Sequence, residues 1–374
     1  MTERDELISM IALTCTPHVG TIIARRLVDE MGSAQAVFDQ REKLTELIPD
    51  IRPSLVKALD CKPARERALK EVEYAEKNHI HCITINDPEY PSRLRTCDDA
   101  PLVLYYLGNT NLNALRVVSV VGTRKITEYG RDLCTAFCRD LAQLCPDVLI
   151  VSGLAYGADI TAHRGALENG LPTVGVLAHG LDRIYPPAHR QTASRMVSQG
   201  GLLTEFMSFT EPERMNFVQR NRIVAGMADA TVVVESAAKG GSLITAQMAI
   251  DYGRTCCAFP GRVGDMYSQG CNSLIRKDSA VLITSAQDFV ETMGWSAAAT
   301  GSTTDAVQRQ LFVELDGEEE RIVDILRQHP DGLQINHLVV EADVPINRLS
   351  SMLLMLEMKG AVRVLPGACY RALV

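Results

Sequence analysis

Aromatic side chains are scarce in this chain of 374 residues, at 5% with one tryptophan, so an aromatic in a polar setting stands out. No apolar run approaches the roughly 18 residues of a membrane-spanning helix. The start, Met1-Thr-Glu-Arg-Asp-Glu-Leu7, lacks the basic and apolar regions of a secretion signal. The 11 cysteines include no CxxC pair; Cys134 and Cys138 are four apart on an expected helix, and Cys256 and Cys257 adjoin in an expected strand. These absences disfavour membrane, secreted and zinc-ribbon classes, and the expectation is a cytoplasmic protein with reduced thiols, no metal and no membrane partner. A basic excess is missing too: 38 basic against 46 acidic residues give −8, which excludes a histone-like coat and leaves room for a local basic groove. Neither GxxxxGK followed by Ser or Thr nor GxGxxG occurs, which weakens P-loop and dinucleotide readings, so no cofactor is expected.

What is present divides into segments. Residues 115–288 carry 17 basic and 16 acidic side chains and are the only stretch that is not net acidic, which makes them the first candidate if any part of the chain meets a polyanion. Residues 1–78 read as an N-terminal helical domain with helices over Glu6–Leu13, Gly20–Met31, Ala34–Gln40, Pro53–Ala58 and Ala64–Lys77. The turn ending at Gly20 fits a helix-hairpin-helix phosphate contact, but a small bundle whose turn needs glycine is the preferred reading. Residues 79–295 read as an α/β domain. Apolar runs at Val117–Val121, Val148–Val151, Thr173–Leu177, Leu202–Phe206, Thr231–Val234, Thr255–Phe259 and Val281–Ile283 alternate with helices, the mark of buried parallel strands in a doubly wound, mostly parallel, Rossmann-like sheet. His81–Ile85 and Leu102–Leu107 extend it. Residues 296–317 read as a linker, and residues 318–374 as a winged helix of three helices and a β-hairpin turning at Pro366-Gly367.

Ligands of an open parallel sheet bind at the C-terminal ends of its strands. There the chain places Gly122, Arg124 and Lys125, then Arg214, Phe217, Arg220, Asn221 and Arg222, then Lys239, Gly241, Ser242 and Thr245. The turn from Lys239 to Thr245 opens a helix and exposes free N–H groups to an anion. Phe217, among basic and amide residues, suits stacking on an exposed base, while burial statistics alone favour a core position. Asp159 and His163 share a helix face, and a helix cap with a hydrogen bond orienting the loop is preferred over acid–base chemistry. No catalytic residue is assigned.

Several blocks carry a resemblance: Tyr90-Pro-Ser-Arg-Leu94, Val121-Gly-Thr-Arg124, Ser152-Gly-Leu-Ala-Tyr-Gly-Ala-Asp159, Gly180-Leu-Asp-Arg-Ile-Tyr-Pro186, Phe217-Val-Gln-Arg-Asn-Arg-Ile223 and Gly241-Ser-Leu-Ile-Thr-Ala246. In these, residues 80–290 resemble the DNA-processing protein A family (DprA, also called Smf). The resemblance implies an extended Rossmann-like domain that binds single-stranded DNA, forms a homodimer and hands strands to the RecA recombinase during natural transformation or recombination. It places the DNA pocket at Arg124, the Phe217–Arg222 block and the Gly241-Ser242 turn. Two other readings compete. The fold also resembles that of the "lonely guy" phosphoribohydrolases, but Met248 stands where their catalytic carboxylate is expected. A winged-helix transcription regulator is the other; its recognition-helix candidate is apolar, with only Arg348 near its start.

Overall fold

The computed structural model describes residues 2–48, 51–295, 316–329, 332–359, 361–365 and 369–373, with Asn336 described in its backbone alone. The chain forms two compact units, Met1–Ala298 and Ala299–Val374. Most of the expected linker lies outside the described residues, as does the expected Pro366-Gly367 turn.

The first unit is built on one sheet of β1 (His81–Thr84), β2 (Val103–Gly108), β3 (Val117–Val121), β4 (Leu149–Ser152), β5 (Thr173–Val176), β6 (Gly200–Thr204), β7 (Ala230–Val233), β8 (Thr255–Ala258) and β9 (Val281–Leu282). The order is β1-β2-β6-β5-β4-β3-β7-β8-β9. From β6 through β9 in that order neighbouring strands are parallel, and β2 alone is reversed, pairing antiparallel with both β1 and β6. The doubly wound, mostly parallel architecture expected above is the one observed. Within β3, Val117 and Val121 pack into one core and Val118 and Val120 into the core on the opposite face, so the valine run buries both faces as a central parallel strand must.

The N-terminal helices share a core with the antiparallel edge: Met10, Ile11 and Leu13 of the helix Glu3–Cys15 lie in one cluster with Leu104 and Tyr105 of β2. Gly20 takes an ordinary extended conformation as N-cap of the helix Thr21–Met31, and no atom would crowd a side chain there. The preferred reading, a turn that needs glycine at this position, is therefore corrected; the left-handed residue of the turn is His18. Strand β6 begins earlier than expected, at Gly200-Gly201, because the Tyr106 ring fills the space a side chain on Gly201 would take, and the Tyr106 hydroxyl donates to the Gly200 carbonyl at 2.9 Å.

The second unit has helices Gly317–Arg327, Ile335–Ala342 and Ile346–Met358, with β10 (Leu333–Gln334), β11 (Val362–Leu365) and β12 (Cys369–Ala372) in the order β10-β12-β11. It is a winged helix around Ile322, Leu326, Leu338, Leu349, Leu353 and Leu356. Asp316 starts it with a reciprocal capping box to Glu319. Strand β10 was not expected.

Candidate nucleic-acid interface

Strand order reverses between β3 and β7: the chain winds from β3 out to β6, then returns to β7 on β3's other side. The loops on either side of such a switch point diverge and leave a crevice at the C-terminal strand ends. Here it is a cleft of about 650 Å³. The β3 loop supplies Gly122 and Arg124, and the β4 loop Gly153, Ala155 and Asp159. The helix Arg214–Gly226 supplies Arg214, Phe217, Arg220 and Asn221, and the turn after β7 supplies Lys239, Gly241, Ser242 and Thr245.

The β3 loop is held from both sides. Thr123 N–H donates to the Glu235 carbonyl at 2.7 Å, and Ala158 N–H donates to the Thr123 carbonyl at 3.1 Å. The buried Glu235 carboxylate accepts the Thr127 N–H at 2.9 Å and the Thr127 hydroxyl at 2.6 Å. Gly157, at φ +81, lies beneath this loop; a Cβ there would stand 2.1 Å from the Thr123 carbonyl oxygen. Arg124 is thereby presented exposed, its guanidinium 5.1 Å from the centroid of Phe217. Phe217 is half-buried, and its ring lies 6.1 Å from that of Tyr185.

Ten of the twelve residues expected at this site line the one cleft. Exposed Arg124, Arg214 and Lys239 supply its positive charge. The helix Gly241–Asp251 opens into the cleft with no side-chain cap on Gly240; the Leu243 N–H donates to the Gly240 carbonyl at 3.1 Å, and the Gly241 and Ser242 N–H groups are left as donors. The Ser242 hydroxyl itself is turned inward, donating to Ser236 Oγ at 2.9 Å, which leaves the Ser242 backbone rather than its side chain for an anion.

Three expectations need correcting. Arg222 is outside the cleft. Two residues from Arg220 on a helix, it faces the other way, buried against Glu205 at 2.5 Å and the Asp99 carbonyl. Lys125 is exposed on a neighbouring cleft. Arg220 does line the cleft but forms its floor: it is buried, donates to the Val176 carbonyl, and passes beneath Gly153, where a Cβ would meet its guanidinium at 2.3 Å and Asp159 at 2.4 Å. Burial pushes the Arg220 pKa down and the Asp159 pKa up, and each partner's charge partly offsets the other's loss of water.

Asp159 is not the helix cap, since Gly157 holds that position; its carboxylate accepts the Ala155 N–H at 3.3 Å. His163 does orient the loop. Its Nε2 faces the Gly153 carbonyl, which can only accept, so Nε2 carries the proton and Nδ1 accepts from the Thr173 hydroxyl at 2.7 Å. Burial lowers its pKa to about 4, so the ring is a neutral brace. Tyr185, beside Phe217, was not singled out; its one signal was a place in the Gly180–Pro186 block. Among the described residues no group of His, Cys, Asp and Glu is arranged to hold a metal, and no helix is long and apolar enough to cross a membrane.

The sequence family described as DNA recombination-mediator protein A matches residues 81–294, and the DprA winged helix domain matches residues 310–368. The putative DNA processing protein DprA of Mycobacterium tuberculosis is 36% identical over 281 residues, 69% of this chain and 72% of that protein. Protein Smf of Escherichia coli is 32% identical over 310 residues, 80% and 79%. The crystal structure of DprA from Streptococcus pneumoniae aligns with a TM-score of 0.57 at 29% identity, over 73% of this chain and 98% of that one. The DprA of Helicobacter pylori, whose structure is described as giving insight into a single-stranded DNA binding mode, aligns with a TM-score of 0.52 at 30% identity, over 57% and 96%.

Proposed function

The chain belongs to the DprA (DNA-processing protein A) family, and from that premise we propose that it binds single-stranded DNA in the cleft between β3 and β7 and delivers the strand to RecA. Arg124 above Phe217 is the observation that carries this reading. A single strand offers two things a duplex withholds together, an unstacked base face and a flexible backbone. Phe217 suits the first. Arg124, Arg214, Lys239 and the uncapped helix start suit the second, the arginines through paired N–H donors and the helix through its dipole. Arg220, Asp159 and His163 act beneath them as positioning residues that fix the loops.

The role is non-catalytic and cytoplasmic, in natural transformation or recombination. Met248 in place of a carboxylate gives the phosphoribohydrolase reading no acid–base group. In the winged helix Arg348 is paired with Glu318 at 2.5 Å, which does not favour a major-groove reader. The homodimer implied by the family has a suitable place at β9, the last strand of the sheet, where Val281 and Leu282 are exposed. Binding of oligo-dT and of duplex of equal length, measured by fluorescence anisotropy across a salt range, tests the reading. Preference for the single strand with an affinity that falls with salt is expected; equal affinity for duplex overturns it. RecA nucleation on the same oligo-dT, with and without the protein, tests delivery.

A further inference from the structure

Across the Arg124 loop lies a second cleft of about 510 Å³, between the helices Glu128–Leu144 and Ala158–Glu168. Arg124, Lys125, Arg131 and Arg164 line it, all exposed and none in an ion pair among the described residues, against one carboxylate, Glu168. Unpaired like charges gathered in a concave surface repel one another, and a polyanion relieves that cost. Tyr156 stands at the same cleft, 51% exposed, its ring centroid 4.8 Å from that of His189 in an edge contact. His189 is buried, its Nδ1 donates to the Leu154 carbonyl at 2.9 Å, and burial lowers its pKa. It is therefore a neutral, fixed support behind an accessible tyrosine.

Arg124 lines both clefts and stands on the ridge between them. Gly157 keeps that ridge low, because the Arg124 loop rests where its side chain would be.

We infer that the second cleft takes the onward path of the same single strand, with Arg131 and Arg164 on its phosphates and Tyr156 stacked on a base. This rests on the single-stranded DNA reading of the first cleft. A duplex hides its base faces and gives Tyr156 nothing to stack on, so the onward occupant is single-stranded. The two clefts then form one basic path bent over Arg124, and the site accommodates a longer strand than the first cleft alone.

The test is a length series of oligo-dT from about 4 to about 16 nucleotides, the span of known single-strand sites. It compares wild type with Arg131→Ala/Arg164→Ala and with Tyr156→Ala, after melting curves confirm that each variant folds. Wild type gains affinity with length. The arginine pair should keep wild-type affinity for the shortest strand that binds and lose the gain with length. Its slope of log affinity on log salt for long strands should fall by about 1.4, about 0.7 for each phosphate that an arginine no longer neutralises. Tyr156→Ala should weaken only long strands, about tenfold. A full gain with length in the arginine variant overturns the inference, as does equal weakening at every length, or a gain that appears only when the extension is duplex. A wild-type protein that binds no strand refutes the first-cleft reading instead, so the two failures are distinct.

Discussion

The guanidinium of Arg124 lies over the face of Phe217, 5.1 Å from its centroid, so the loop after β3 and the helix before β7 meet through one cation and one ring. Each restricts the other: the ring limits where the arginine can swing, and the cation holds the ring at the cleft. In the proposed site Arg124 would supply a phosphate contact worth roughly 1–3 kcal/mol, so Arg124→Ala should weaken single-stranded DNA binding by about one to two decades. Its melting temperature should be nearly unchanged, because the side chain is exposed. Phe217→Ala should cost on the order of 1–3 kcal/mol in binding. Because the two touch, the double variant should lose less than the sum, by about 0.5 kcal/mol or more in a double-mutant cycle. Strict additivity would separate the pair energetically.

Gly157 supports the loop that presents Arg124. At φ +81, with the Thr123 carbonyl 2.1 Å from where a Cβ would sit, Gly157→Ala adds both strain and a backbone clash. Expected is a stability loss of about 1–3 kcal/mol together with weaker DNA binding, read from denaturant midpoints and anisotropy. Gly264→Ala serves as control, since nothing lies within 4 Å of the Cβ it would gain. An unchanged midpoint for Gly157→Ala would mean the loop shifts without cost.

The two-sided burial of parallel strands was legible because it leaves valine- and isoleucine-rich runs such as Val117–Val121, interrupted there only by the buried Ser119. Strand β6 was misplaced at its start for a physical reason. A glycine pair signals a turn until a distant ring, that of Tyr106, is known to occupy the missing side-chain volume. Strand β10, two residues long, is too short to show any period. At the site, glycine turns and cations at strand ends were readable as chemistry, yet Arg220 and Arg222 looked equivalent. The helix period separates them, and what each meets is set by Asp159 and Glu205, far from them in sequence. Nothing in the local pattern contains that information.

The loop between β6 and the helix Arg214–Gly226 is tied to the N-terminal helices. Buried Glu71 accepts the Ser208 N–H at 2.8 Å, the Ser208 hydroxyl at 2.5 Å and Arg67 at 2.8 Å. Tyr74 meets Phe209 edge-on at 5.3 Å. Glu71→Ala leaves the Ser208 N–H buried without an acceptor and should cost about 2–4 kcal/mol in chemical denaturation. Ser208→Ala keeps the backbone bond and should cost only about 1 kcal/mol. Equal costs for the two would place the energy in the hydroxyl contact rather than in the backbone anchor.

His163 should make stability fall with acid. Its folded pKa of about 4 lies below the ordinary 6.5, because burial opposes the charged form. Above pH 6.5 the imidazole is neutral in both states and its bonds to Gly153 and Thr173 are fully available. Between pH 6.5 and about 4 the unfolded chain takes up a proton that the folded chain refuses, so unfolding becomes easier as pH falls. The loss approaches about 3 kcal/mol at the lower end. His179 and His189, also lowered by burial, add slope of the same sign, while Asp159, raised by burial, acts in the opposite direction. The informative quantity is therefore the difference between wild type and His163→Gln, in which an amide N–H can still reach the Gly153 carbonyl and no proton is taken up. Denaturant midpoints measured at half-unit steps from pH 7.5 to 4 should converge between the two proteins as pH falls. Parallel curves over that window would mean that His163 takes up its proton over the same pH range in the folded and unfolded chains, and that the neutral brace beneath the cleft is wrongly assigned.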